Sequence, residues 1–415
     1  MSQKMWRLSV MTALNRLVMA LRLVVLPLFV LSIGRDESFY GLLVAGAGYA
    51  EGLFLPLTGM FSDVKGRGRS IMVGGLITGS AFFILPFVGD PILLLAVYSV
   101  TGVGDGFIVS SVEAMIADHS RDQDERTKTY GFTISIATLA ATVGPFVGGY
   151  LLDEMASPWI EPEVLRYMIV FFMMGSARVV AGVLGFSTER WLVRIEAREG
   201  KTQSGDHTSE VVHTSREDFR TALLFGLSQA IMGMASGMVV PYLIPWMYAR
   251  FTPDKLVLGS VAAMANISLA SGTLAVGMFS ERIGKLKTVL LLYMVTPLLA
   301  VGLVMSPVFS VMVVFYVVRE ATANMVRPAT NSLFMGEITP NRRGRLWALT
   351  RVMWTFPRQT GTLITSLLLA MGIFSNIVDF GILYFPLATT LYPVSVIPMY
   401  LAIRREKTKV PKENP

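Results

Sequence analysis

The chain has no cysteine and only three histidines. With no cysteine among its 415 residues, disulfides and thiolate metal sites are excluded. The three histidines fall in polar connecting segments without acidic partners at ligand spacing, so we expect no metal site. These histidines are His119, His207 and His213. No phosphate-binding glycine loop or nucleophile elbow is present either, so we expect neither a cofactor nor an enzyme.

Charged residues are also scarce. They make up 16% of the chain, against about 25% in a soluble domain, while 53% of the residues are hydrophobic. The apolar residues form stretches near the ~20 residues that a helix needs to cross a bilayer. The first stretch is too long for a cleavable signal peptide, and we expect none. The predicted spans are 8–34, 38–61, 70–88, 91–116, 128–152, 165–187, 219–248, 256–280, 287–305, 308–330, 344–372 and 377–402.

Basic residues lie mostly on one side of these spans. When residues at span edges are counted with the adjoining loops, 25 of the 36 Lys and Arg residues share a side with both termini, and Arg35, Arg166, Arg250 and Lys255 lie on the other side. Cytoplasmic loops are rich in Lys and Arg. We therefore expect a multi-pass protein of the cytoplasmic (inner) membrane with both termini cytoplasmic. In this interpretation the basic residues behind the net charge of +7 determine the membrane topology, and no nucleic-acid partner is expected.

A short sequence recurs in the second half of the chain. Gly-Met-Phe-Ser at 59–62 returns at 277–280, which is 218 positions later. The same offset takes Pro27 to Pro245 and Gly41 to Gly259. The matches indicate a duplicated, all-α membrane protein of twelve transmembrane helices. Its two six-helix halves are expected to be related by a pseudo-two-fold axis along the membrane normal.

A charged segment rich in Ser and Thr separates the two repeats. The predicted domains are an N-terminal six-helix half at 1–188 and a C-terminal six-helix half at 219–415. We expect the segment between them, 189–218, to be a cytoplasmic linker.

The loop between spans 2 and 3 combines glycines with charges. Its residues are Gly59, Asp63, Gly66, Arg67 and Arg69. This pattern resembles the signature loop of the major facilitator superfamily, from which it departs at Val64 and Gly68. The resemblance implies a conformational latch between the two halves, with the start of span 11 as its partner. The alternative is a tight polar turn with charges that set topology.

Span 5 carries a glycine-rich pattern. Its residues are Gly131, Ala140, Gly144, Pro145, Gly148 and Gly149. The pattern is similar to the antiporter motif of the drug and tetracycline:proton antiporters in that family, with Ala140 in place of one glycine. Pro145 leaves the carbonyl of Ala141 without its helical donor, and a bend at a helix contact suits a seam between moving halves. The alternative is a generic packing face. Where family members often have an arginine in span 4, this chain has Tyr98.

Ionisable residues inside the spans are functional candidates, because a charge in the bilayer costs at least ~2.5–3.5 kcal/mol. Near mid-span lie Arg22, Glu51, Asp105, Arg178, Arg319, Glu320 and Arg358. A carboxyl group in a poorly hydrated cavity can exchange protons near neutral pH, so Glu51 and Asp105 are the proton-coupling candidates. The alternative for Glu51 is a structural ion pair with Arg22 or Arg358.

The interior arginines and Glu320 allow two interpretations. Converging guanidinium groups would suit an anionic substrate, through bidentate contacts to a carboxylate or phosphate. The same arginines could equally neutralise Glu51, Asp105 and Glu320. The sequence supports both.

The resemblance and the interior charges together favour a secondary active transporter that moves a small organic solute by alternating access. Proton-coupled efflux antiport is the favoured mode. A symporter or uniporter for an anionic metabolite is the alternative, and a non-transporting membrane receptor or sensor is the alternative of another class. The expected partners are a small-molecule substrate, protons and the lipid bilayer, and we expect a monomer.

Overall fold

The structure is a computed structural model that describes residues 3–119, 123–198, 216–337, 343–374 and 376–407. The first helices are α1 (Gln3–Ser32), α2 (Glu37–Lys65), α3 (Arg67–Ile84), α4 (Pro91–Asp118), α5 (Gln123–Leu152) and α6 (Glu163–Arg198). The others are α7 (Arg216–Val239), α8 (Leu243–Phe251), α9 (Lys255–Ile283), α10 (Lys285–Met305), α11 (Phe309–Glu337), α12 (Arg343–Ala370), α13 (Ile377–Thr389) and α14 (Leu391–Lys407). The predicted all-α fold is confirmed.

Each of the twelve predicted spans falls on helix. Within the described residues, eleven helical stretches are long and apolar enough to cross a membrane. The helix at the eleventh predicted span, α12, is not among them, although its 28 residues are enough for a crossing. It carries Arg351 and Arg358, and charged residues in a membrane helix are normally covered by neighbouring helices. The chain is thus a multi-pass membrane protein.

Two predicted spans are interrupted, which the sequence reading missed. In the seventh, a short 3₁₀ helix containing Pro241 separates α7 from α8. Proline has no N–H to donate to the preceding turn, so the helical ladder stops there. In the twelfth, the break lies at Thr390, and Pro393 occupies the first turn of α14, where a missing N–H is tolerated.

The 218-residue offset of the sequence repeat reappears in the helix boundaries. Helix α2 begins at Glu37 and α9 at Lys255, and both have 29 residues. The same offset relates the first residue of α3 to that of α10, and the first residue of α4 to that of α11. The duplication inferred from short matches therefore extends to whole helices.

A tight turn is repeated at the same offset. Gly66 separates α2 from α3 with φ +100°, and Gly284 separates α9 from α10 with φ +89°. Residues with a side chain rarely adopt this part of backbone space. The N–H of each glycine donates to the carbonyl of a serine four residues earlier, Ser62 or Ser280, at 3.1 Å. The repeated glycines are thus explained by the turn.

The chain forms two compact units. The first unit comprises residues 1–206 and 252–267, and the second comprises 207–251 and 268–415. In the first unit α1 packs on α5 and α6, and α4 packs on α2 and α3. In the second, α7 packs on α12 and α14, and α10 packs on α11 and α13. Helix α9 contributes to both units, and the predicted domain boundaries at 188 and 219 stay a prediction.

Helix α6 is longer than its predicted span. Its 36 residues extend about 54 Å at 1.5 Å per residue, well beyond a bilayer core of ~30 Å. Its last turns include the first ten residues of the predicted linker, and α7 begins at Arg216. The intervening linker residues, with His207 and His213, lie outside the described residues.

Candidate functional site: buried charges in each unit

A three-residue ion cluster lies inside the first unit. The Asp105 carboxylate of α4 receives a hydrogen bond from Arg22 of α1, with 3.0 Å between Oδ2 and NH1. Its other oxygen, Oδ1, lies 2.8 Å from NH2 of Arg178 on α6, as an ion pair. The side chains of Asp105 and Arg178 are 5% and 1% exposed, whereas that of Arg22 is 22% exposed. One carboxylate therefore bridges two guanidinium groups, and Arg22 is the more accessible of the two.

Arg178 is fixed by a residue that the sequence reading missed. Its NH1 donates to Oδ1 of Asn15 at 2.8 Å, and the Asn15 amide donates to the carbonyl of Met11 at 3.1 Å. Helix α1 thus holds Arg178 through Asn15. The available signal was a single amide about two helical turns before Arg22 in α1, and no periodic pattern marks such a residue.

Helices α2 and α4 meet beside Asp105. A Cβ atom added to Gly106 would lie 3.5 Å from the backbone oxygen of Glu51, so the two helices come close at this level. The Glu51 carboxylate is near enough to interact electrostatically with Arg22 and Arg178. Counted as ionised, the two arginines and the two acids balance in charge. The structure thus brings together four of the seven predicted interior charges.

Tyr98 also belongs to this cluster. Its ring is buried, and the guanidinium carbon of Arg22 lies 6.0 Å from the ring centroid. That distance permits a cation–π attraction. Tyr98 stands at the position where the resemblance implied an arginine, and here a guanidinium group from α1 approaches the same position.

A second buried cluster lies in the second unit. Arg319, with a side chain 1% exposed, pairs with its neighbour Glu320 on α11. The NH2 of Arg319 lies 3.5 Å from the hydroxyl of Tyr392, and the amide of Asn324 lies 3.5 Å from Oε2 of Glu320. Arg358 of α12 lies over the ring of Trp354, at 5.3 Å from the centroid. Arg319 and Glu320 therefore form an ion pair, which agrees with the interpretation that the interior arginines neutralise interior acids.

The signature loop forms a charge network within the first unit. Arg67 pairs with Asp118 at the end of α4, at 2.9 Å, and with Asp63. Its NH1 also donates to Ser62 at 3.2 Å. The Asp63 side chain is 66% exposed, and Arg69 donates to the carbonyl of Lys65, at 3.4 Å.

The two signature glycines behave differently. A Cβ on Gly66 would lie 3.0 Å from the Glu189 carboxylate of α6, so this turn lies against α6. At Gly59 no atom of the described residues lies within 4 Å of the position that a Cβ would take. No close helix contact is therefore seen at Gly59 among the described residues, and the latch role of the loop stays a prediction.

The glycines of α5 allow close contact with two neighbouring helices. A Cβ on Gly144 would lie 2.8 Å from the backbone oxygen of Leu17 in α1, and one on Gly148 would lie 2.8 Å from Leu21. Gly149 instead faces α9, where a Cβ would lie 2.5 Å from the oxygen of Lys255. Gly131 has no described atom within 4 Å of its Cβ position, and Ala140 is half-buried.

Comparison with protein families identifies the chain. The model of the Major Facilitator Superfamily matches residues 8–223 and 225–414, so the chain belongs to this superfamily. The expected family and its two-halved fold are confirmed.

Similarity to individual proteins is more distant. The chain is 30% identical over 133 residues to the vesicular acetylcholine transporter of Torpedo marmorata. The matched segment covers 32% of this chain and 26% of that protein. It is 22% identical over 160 residues to the quinolone resistance protein NorA of Staphylococcus aureus, covering 39% and 38%. The matched segments thus span well under half of these relatives.

Solved structures share the fold over nearly the whole chain. A bacterial homologue of the iron transporter ferroportin, in an inward-facing state, has a TM-score of 0.72 at 14% identity and covers 99% of this chain and 100% of that one. A D-xylose-proton symporter has a TM-score of 0.72 at 12% identity, covering 94% and 97%. At such identities the likeness describes the fold.

Proposed function

We propose that this protein is a secondary active transporter, which moves a small organic solute across the cytoplasmic membrane by alternating access. The observation that carries the proposal is the buried cluster of Arg22, Asp105 and Arg178 with Glu51 close by. Buried charges are costly in a membrane protein and commonly mark substrate or proton pathways.

The favoured mode is proton-coupled efflux antiport, with Glu51 as the proton carrier. Asp105 is committed to two guanidinium groups, and neutralising it would leave two buried positive charges without their partner. Glu51 is half-buried and sits beside both arginines. A proton on Glu51 would change the net charge of the cluster by one, so proton binding and substrate binding can compete there.

An organic cation is the favoured substrate. A cation is attracted to Glu51 when the carboxylate is ionised and is released when a proton takes its place. The names of two relatives, an acetylcholine transporter and a quinolone resistance protein, agree with a small organic solute. The antiporter-type pattern in α5 supports the same choice. We further propose a monomer with both termini cytoplasmic, in contact with lipid.

One observation favours the alternative of an anionic metabolite. Arg22 keeps 22% of its side chain exposed and uses NH1 for its bond to Asp105. An anionic group that approached Arg22 would find a guanidinium group partly in place. In a symporter or uniporter of this kind, Asp105 would act as the resident counter-ion.

The test is flux in proteoliposomes under an imposed pH gradient, with organic cations and organic anions screened side by side. We expect cation movement driven by the gradient, and loss of that dependence in Glu51→Gln. Arg22→Ala should leave cation binding nearly unchanged under the favoured mode, and should weaken anion binding selectively under the alternative. Absence of gradient-driven flux for every solute, with specific binding retained, would instead support a receptor or sensor.

A further inference from the structure

Helix α6 has a long exposed face within the first unit. On it, Phe172, Val180 and Val183 are exposed apolar side chains, and Arg190 and Arg194 are exposed basic ones. At 3.6 residues per turn these five positions fall on one side of the helix. The face is therefore apolar as far as Val183 and basic from Arg190 onward.

This change falls where the apolar core of the membrane is expected to end. The predicted sixth span ends at residue 187, and Arg190 and Arg194 lie about one and two helical turns beyond it, which is roughly 5 and 10 Å. The headgroup layer on each side of a ~30 Å core is about 5–8 Å thick. Arginine side chains are long enough to bend toward that layer. Both guanidinium groups are therefore within reach of lipid headgroups.

Aromatic rings hold two guanidinium groups at this level. The guanidinium carbon of Arg190 lies 4.1 Å from the ring centroid of Phe186, one turn earlier in α6. That of Arg7, on α1, lies 4.9 Å from the ring centroid of Trp191. An aromatic ring attracts the positive charge but supplies no oxygen acceptor, so N–H donors stay available for an anion. Tryptophan is also typical of the interface between membrane and water.

The charge of these arginines is not balanced by neighbouring acids. Among the residues that the structure describes, Arg7, Arg190 and Arg194 have no acidic partner. The acid next to them in sequence, Glu189, lies instead against the turn between α2 and α3, where a Cβ on Gly66 would be 3.0 Å from its carboxylate. An anion from outside the described chain can therefore bind here.

We propose that this surface, which we name the α6 basic ridge (Arg7, Arg190 and Arg194 with Phe186 and Trp191), binds the phosphate headgroup of an anionic phospholipid in the cytoplasmic leaflet. The planar donors of arginine suit phosphate oxygens, and basic residues at the cytoplasmic end of a membrane helix are typical of anionic-lipid binding. An acyl chain of the same lipid lies along the apolar part of the α6 face. The inference goes beyond the proposed transport, and it rests only on the proposed cytoplasmic position of both termini.

The first experiment measures lipid selectivity by native mass spectrometry of the delipidated full chain. With equal amounts of phosphatidylglycerol and phosphatidylcholine added, the wild type should retain at least five-fold more phosphatidylglycerol. Arg190→Gln combined with Arg194→Gln, the ridge variant, should lower this preference at least three-fold. Equal retention of both lipids by the wild type, or an unchanged preference in the ridge variant, would overturn the proposal.

A charge-matched control accompanies the ridge variant. Arg282→Gln combined with Lys287→Gln removes two exposed basic side chains of the second unit that are predicted to lie on the same side of the membrane. This control should keep the preference for phosphatidylglycerol. An equal loss in both double variants would mean that net charge alone attracts the lipid, and the ridge would be rejected as a site.

The second experiment separates a lipid from a free anion. Phosphatidylglycerol should raise the melting temperature of the detergent-solubilised wild type by several degrees more than that of the ridge variant. Inorganic phosphate at a hundred times the lipid concentration should raise both equally or not at all. A shift with inorganic phosphate that depends on the ridge and equals the lipid's would assign the site to a small anion, against the proposal.

The third experiment locates the lipid. Because the chain contains no cysteine, Val193→Cys introduces the only thiol, and a fluorophore there lies beside both arginines. Phosphatidylglycerol with a spin label near the top of one acyl chain should quench it more than the matching phosphatidylcholine, and the ridge substitutions should abolish the difference. Met155→Cys, in the loop between α5 and α6, is the control and should show no difference. The same difference at Met155→Cys would contradict a local site.

None of these measurements depends on flux. If the protein carries no solute but the wild type alone retains phosphatidylglycerol, transport is refuted and the ridge stands. If gradient-driven flux is found without lipid selectivity, the ridge is refuted and transport stands.

Discussion

The side-chain amide of Asn266 on α9 donates a 3.1 Å hydrogen bond to the carbonyl of Ala141 on α5. Pro145 would supply the normal helical donor for this carbonyl if it had an N–H group. Replacing Pro145 with Ala restores that donor and should make Asn266 dispensable. A defect in the backbone of one helix thus becomes the attachment point for another.

The pair Pro145 and Asn266 gives a double-mutant prediction. Asn266→Ala alone should destabilise the protein by about 1 kcal/mol, the usual net contribution of one hydrogen bond. In a Pro145→Ala background the same substitution should cost much less. The measurement is thermal unfolding of the four variants in one detergent. Additive effects would mean that Asn266 acts independently of the freed carbonyl.

Asp105 and Glu51 should respond differently to neutralisation. Asp105→Asn removes the shared partner of two buried arginines, and breaking a buried ion pair from one side costs about 3–5 kcal/mol. We expect a clearly lowered melting temperature for Asp105→Asn. For Glu51→Gln we expect near-normal melting with loss of the proton dependence of flux. The contrary pattern, a stable Asp105→Asn protein that has lost only proton coupling, would make Asp105 the proton carrier.

In the signature loop, an effect on protein stability can be distinguished from an effect on the rate of conformational exchange. The Asp63 side chain is 66% exposed, and exposed ion pairs contribute about 0–1 kcal/mol. Asp63→Asn should therefore hardly change the melting temperature, yet it should slow conformational exchange if the loop is a latch. Stopped-flow flux and thermal unfolding on the same preparation decide this. Asp118→Asn, which removes the 2.9 Å partner of Arg67, is the companion variant.

The hydrogen bonds that Asp153, just after α5, accepts from Met155, from Ala156 and from Leu256 of α9 should not respond to pH in the physiological range. Burial alone would raise the pKa of Asp153, but hydrogen bonds from the N–H groups of Ala156, Leu256 and Met155 and the charge of Lys255 outweigh it and hold this pKa below its ordinary value. The stabilisation by the carboxylate is then complete above the unfolded-state pKa of about 3.9 and is lost only as pH falls through the lower folded-state value.

Spin labels on Glu163→Cys and Lys255→Cys would measure this directly. The interlabel distance should stay constant from pH 5 to pH 8 and broaden only in stronger acid. A change of distance near neutral pH would show that another group close to Asp153 titrates there. A constant distance would assign any pH dependence of flux to the Glu51 region.

Much of the fold followed from the sequence because its signals are repeated. Apolar stretches of membrane length placed twelve helical spans, and a four-residue match predicted a duplication that extends to the helix boundaries. The breaks in the seventh and twelfth spans were missed, since proline is tolerated in many membrane helices and interrupts only some. Pro27 lies within an unbroken α1, whereas Pro241 lies in a break.

The candidate site was predictable only in part. Interior charges are conspicuous in apolar sequence, so Arg22, Asp105 and Arg178 could be named, but their pairing depends on how helices rotate in the bundle. Asn15 and Asn266 were missed because one amide in an apolar helix has no periodic signature. Their importance comes from a partner on another helix, which only the tertiary structure supplies.

The depth of Arg178 bears on how the protein is made. Its partners, Asn15 on α1 and Asp105 on α4, both precede α6 in the chain, so they have been synthesised before α6 leaves the ribosome. When α6 enters the bilayer, the Asp105 carboxylate is then already present to neutralise Arg178, so the arginine need not face lipid alone. Arg319 differs, because its partner Glu320 is the next residue of the same helix and is inserted together with it. Loss of Asp105 should therefore show first as a smaller yield of inserted protein.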